Sequence, residues 1–73
     1  MNLSELEIGE CGIISSFTDQ DMSIKLMEMG CLPGEEVRLE QVAPLGDPIA
    51  ITVSGYKLSL RKTEAATILL KSI

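Results

Sequence analysis

Apolar and polar residues alternate along most of this chain, and in one stretch the alternation gives way to a helical spacing. The segment CGIISSF puts Cys11, Ile13, Ser15 and Phe17 on one side and Gly12, Ile14 and Ser16 on the other, which predicts a strand with Cys11 on its apolar face. Met22, Leu26 and Met29 then recur at i, i+4 and i+7 and predict a helix from about Asp19 to Met29. Thr18 is its expected N-cap, with Asp21 reaching back and Phe17 stapled onto Met22. Gly30 supplies the left-handed residue that ends the helix, and Pro33 and Gly34 make the turn beyond it. In the following run Val37 and Leu39 oppose Glu36, Arg38 and Glu40, the signature of a strand with one wet face.

Pro44 and Pro48 bracket Leu45, Gly46 and Asp47, so this stretch must turn, because proline cannot donate to a sheet ladder. Ile49, Ile51 and Val53 alternate with Ala50 and Thr52. After a tight turn at Ser54 and Gly55, Tyr56, Leu58 and Leu60 alternate with Lys57, Ser59 and Arg61. Thr63 to Ala66 fits one helical turn before a last strand in TILLKSI. Five short strands, an early helix and a late helical turn predict a mainly β fold: a small SH3-like barrel with the helix across one open end. The 73 residues are read as one domain, 1–73, with one small core.

Charge and residue types then narrow the chemistry. The formal net charge of −5 opposes generic binding to nucleic acid or anionic lipid, whose affinity comes from cations neutralising phosphates. No run approaches the roughly 20 apolar residues that span a bilayer, so no membrane insertion is expected. The amino-terminal residues carry neither a basic start nor a continuous apolar stretch, which predicts a cytosolic protein with reduced thiols. With no histidine there is no base for a Ser/His or Cys/His nucleophile, and an enzyme is not expected. Cys11 and Cys31 lack ligand-like neighbours and read as buried thiols. Glu35 and Glu36 diverge to opposite faces of a strand, Glu5 and Glu7 lie near the start of the chain, and Asp19 and Asp21 sit at a helix start. No metal site and no cofactor are therefore expected. Ile24 and Met27 widen the apolar arc of the helix beyond one contact face, which makes them candidates for docking a partner. Exposed edge strands in such a small barrel also favour weak self-association.

Three motifs, EMGCLPG at Glu28–Gly34, APLGDPI at Ala43–Ile49 and LRKTEA at Leu60–Ala65, resemble the FeoA family of bacterial ferrous-iron transport proteins in order and spacing. Position 31 departs from the pattern, with cysteine in place of a larger aliphatic. The resemblance implies an SH3-like barrel and a small cytosolic accessory of FeoB, the Fe(II) transporter with a cytosolic GTP-binding domain. It also implies that Gly30, Pro33 and Gly34 set the helix exit and that Pro44, Gly46, Asp47 and Pro48 shape the family loop. Arg61, Lys62 and Glu64 become the charged positions of the closing turn. The expected docking set is Ile24, Met27, Asp47, Lys57, Arg61 and Lys62. The alternative is direct Fe(II) sensing through carboxylates and cysteines, since metal-dependent repressors carry a similar terminal domain.

Overall fold

Alternation becomes sheet where the pattern predicts it. The computed structural model describes residues 1–71. Its strands are β1 (Cys11–Phe17), β2 (Glu36–Val42), β3 (Ile49–Val53), β4 (Tyr56–Leu60) and β5 (Ile68–Lys71), with helices α1 (Gln20–Glu28) and α2 (Lys62–Ala65). They form one antiparallel sheet in the order β4-β3-β2-β1-β5. The predicted last strand extends to Ser72 and Ile73, which lie outside the described residues.

Val37 and Leu39 on β2 and Ile49, Ile51 and Val53 on β3 point into the core as their spacing requires. On β1 the expected facing is reversed at its start: Gly12 and Ile14 are buried, and Cys11 is half-buried instead of lying on the core face. A bulge explains the pattern. Between Ile14 and Ser16 the register with β5 slips by a residue, so Ile14 lies opposite Leu70 and Phe17 opposite Ile68. The extra residue, Ser15, returns Phe17 to the same side as Ile14, which strict alternation forbids. A second bulge lies between Leu39 and Gln41 on β2. On β4 the inward row weakens towards the hairpin: Leu60 is buried, Leu58 half-buried and Tyr56 70% exposed.

The N-cap of α1 is Asp19 and not Thr18: Met22 N–H donates to Asp19 Oδ1 at 3.0 Å. The carboxylate takes this place because it accepts an orphan N–H and also complements the helix dipole. Leu26 is fully buried, and Met22, Met29 and Phe17 pack against the core from its margin. Gly30 follows the helix with φ +106°, the left-handed exit the sequence predicts. The closing turn begins one residue early, at Lys62.

The amino-terminal segment contributes structure that hydrophobic spacing did not reveal. A 3-10 turn at Leu3–Glu5 is capped reciprocally: Ser4 N–H donates to Asn2 Oδ1 at 2.9 Å and Asn2 N–H to Glu5 Oε1 at 2.7 Å. Leu3 and Leu6 enter the core, Asn2 bridges to Leu69, and Leu70 N–H donates to Met1 C=O at 2.8 Å. The outer edge of β5 is thereby occupied.

Candidate docking surface

Two prolines and a glycine turn the chain sharply between β2 and β3. Ala43 N–H donates to Pro48 C=O at 3.0 Å and closes the base of the loop, while Gly46 N–H donates to Ala43 C=O at 2.7 Å within it. Gly46 has φ +91°, and the Asp47–Pro48 bond is cis. Leu45 at the tip is 97% exposed, a projecting apolar side chain on a braced loop.

The start of α2 meets this loop. Asp47 Oδ1 accepts the Lys62 N–H at 3.0 Å, so the carboxylate holds a backbone donor at the helix start. The Lys62 ammonium reaches back over Gly46, where an added Cβ would lie 3.9 Å from Nζ. Arg61 precedes it, exposed. Neither cationic side chain forms an ion pair among the described residues. Asp47, Arg61 and Lys62 are therefore brought together at one corner, although Asp47 serves first as a tie between loop and turn.

A second tie joins α2 to α1. Glu64 Oε1 accepts the Arg61 N–H at 2.9 Å, and Glu64 Oε2 accepts from Lys25 Nζ at 2.9 Å. The Arg61 N–H and then the Lys25 ammonium hold the Glu64 carboxyl below its usual range. This pairing was not foreseen, although Glu64 lies three residues after Arg61, the spacing of a reciprocal cap. The structure divides the remaining candidates. Ile24 is exposed and Met27 half-buried on α1, while Lys57 lies on β4 opposite Thr52. They do not share the corner's hydrogen bonds. Gly30, Pro33 and Gly34 lie in the helix exit, and Gly34 N–H donates to Ile14 C=O at 2.8 Å.

Beside the loop, Ile8, Val42, Pro44, Pro48, Ala50 and Ser59 help line an open groove of about 420 Å³. Ala50 and Ser59, paired across β3 and β4, contribute small side chains to it; Pro44 and Pro48 were legible as a turn, whereas Ile8 carried no periodic signal. Cys31 is fully buried, and burial pushes its thiol up, away from the reactive thiolate. Among the described residues no three Cys, Asp or Glu side chains gather in a group suited to a metal ion. No described helix is long and apolar enough to cross a membrane.

A five-stranded antiparallel sheet, a helix inserted after the first strand and a short helical turn before the last together define a small SH3-like β domain. The chain belongs to the FeoA domain family, whose model matches residues 1–72. It is 36% identical over 69 residues to an Fe(2+) transport protein A/Fe(2+) transporter FeoB fusion protein of Porphyromonas gingivalis, covering 93% of this chain and 8% of that relative. The FeoA-like protein of Clostridium acetobutylicum superposes with TM-score 0.89 and 40% identity over 100% of this chain and 86% of that one. Stenotrophomonas maltophilia FeoA, crystallised with zinc and described as an SH3 domain protein, gives TM-score 0.85 and 30% identity over 97% and 89% of the two chains. A manganese-dependent transcriptional repressor shares the fold at TM-score 0.87 and 16% identity, over 100% of this chain and 41% of that one.

Proposed function

We propose that this chain is a non-catalytic accessory of ferrous-iron uptake that docks in the cytoplasm on the cytosolic part of a FeoB transporter. The observation that carries the reading is the P. gingivalis relative, in which a region similar to this chain and a FeoB transporter are one polypeptide. Covalent linkage holds two partners at high effective concentration, and the same contact between separate chains needs an interface of its own. The corner of Leu45, Arg61 and Lys62 supplies an apolar anchor beside two cations that form no ion pair among the described residues, a suitable pattern for an acidic partner surface.

Titration of the intact protein with the partner's cytosolic domain tests this, with amide shifts followed residue by residue. Shifts are expected at Ala43–Pro48 and Arg61–Glu64, and Arg61→Glu with Lys62→Glu is expected to weaken binding by about tenfold or more, with a steeper loss at low salt. Unchanged binding in the double variant removes the corner from the interface. Absence of binding with either the domain or the solubilised transporter removes the docking function.

A further inference from the structure

The sheet has two edges, and only one is occupied among the described residues. Along β5 the Met1–Asn2 segment supplies a bridge at Leu69 and an acceptor for the Leu70 N–H. Along β4 nothing takes that place: β3 is its only sheet neighbour. The two-residue turn at Ser54 and Gly55 makes Val53 and Tyr56 a hydrogen-bonded pair, so Ile51–Leu58 and Ile49–Leu60 carry the later rungs. The N–H and C=O groups of Lys57 and Ser59 consequently point away from β3, unpaired, along an edge with neither bulge nor proline.

We propose that this edge binds β4 of a second copy of the chain, antiparallel about a two-fold axis through Leu58. That register is self-complementary. Lys57 of each copy lies opposite Ser59 of the other, and the four outward N–H and C=O groups of one edge meet those of its mate. On the inward row Leu58 lies opposite Leu58 and Tyr56 opposite Leu60, which covers a half-buried leucine and a tyrosine that is 70% exposed. No like charges stand directly opposite. The two Lys57 side chains are diagonal neighbours and each copy carries a net charge of −5, so repulsion keeps the pair weak and makes it tighten as salt rises. A single pair of short strands buries less surface than a standard stable interface, in keeping with a transient dimer. This inference is independent of docking on a transporter.

Sedimentation equilibrium on the intact protein, from micromolar to millimolar concentration at low and high salt, reads the association directly. The expected result is a reversible dimer favoured by salt, with amide exchange at Lys57 and Ser59 slowing as concentration rises. Ser59→Pro removes only an outward N–H and leaves the β3–β4 ladder intact; it is expected to weaken the dimer by about tenfold or more. Lys57→Thr removes the diagonal repulsion and is expected to tighten it, which keeps the test decisive should the proline variant fail to fold. Monomer at millimolar concentration in high salt, in both the native protein and Lys57→Thr, overturns the proposal. So does a dimer that Ser59→Pro leaves unchanged, and so does protection of Lys57 and Ser59 by the transporter domain while the protein stays monomeric.

Discussion

Gly12 has no room for a side chain. A Cβ built there would meet Leu70 Cδ1 at 2.9 Å and Leu70 Cβ at 3.2 Å, inside the β1–β5 contact. Gly12→Ala is therefore expected to destabilise the fold by about 1–3 kcal/mol in urea unfolding, as overpacked cores do. Glu64 gives a prediction of the opposite kind, about ionisation. Its folded pKa is lowered, so its contribution is present in full above the ordinary glutamate range and is lost as pH falls through the lowered value. Carboxyl NMR should show Glu64 titrating below its unperturbed range, and Lys25→Met should leave part of the depression, because the Arg61 N–H is the largest single cause and stays in place. Lys25 is 61% exposed, so the same substitution should cost no more than about 1 kcal/mol. Pairing across 39 residues leaves no local signal, whereas the Arg61–Glu64 cap was readable as a spacing.

At the level of elements, strands with one clean apolar face were legible because burial on one side imposes a period of two. β2 and β3 lie where Val37, Leu39, Ile49, Ile51 and Val53 place them. β1 was legible in extent but not in facing: seven residues with serines at Ser15 and Ser16 carry no mark of where a bulge inserts. The β3–β4 hairpin shows how turn chemistry supplements period. Ser54 has φ 51° and Gly55 φ 81°, both left-handed, as the primed turn requires. Asparagine tolerates that region better than serine, so Ser54→Asn is expected to raise stability by about 0.5 kcal/mol, seen as a higher urea midpoint with an unchanged slope.

For the molecule as a whole, the core is closed by a segment the apolar spacing left out. Leu3 is fully buried, so Leu3→Ala is expected to cost about 2–5 kcal/mol, and exchange of the Leu70 amide should quicken as the segment loosens from β5. The sign was present as Asn2 and Glu5 at capping-box spacing, but so short a turn has no apolar period to support it. The candidate site was legible in part for a similar reason. Pro44, Gly46 and Pro48 announce a turn, and Arg61 and Lys62 announce charge, but the contact of Asp47 with Lys62 spans 15 residues and exists only once the sheet has formed. The same amino-terminal segment has one more effect. With β5 partnered at Leu69 and Leu70 by Asn2 and Met1, β4 is the one open edge strand among the described residues, and a molecule joined there has nothing left to extend. Growth by strand addition ends at two, so concentrating this protein should yield a finite particle and not a fibre.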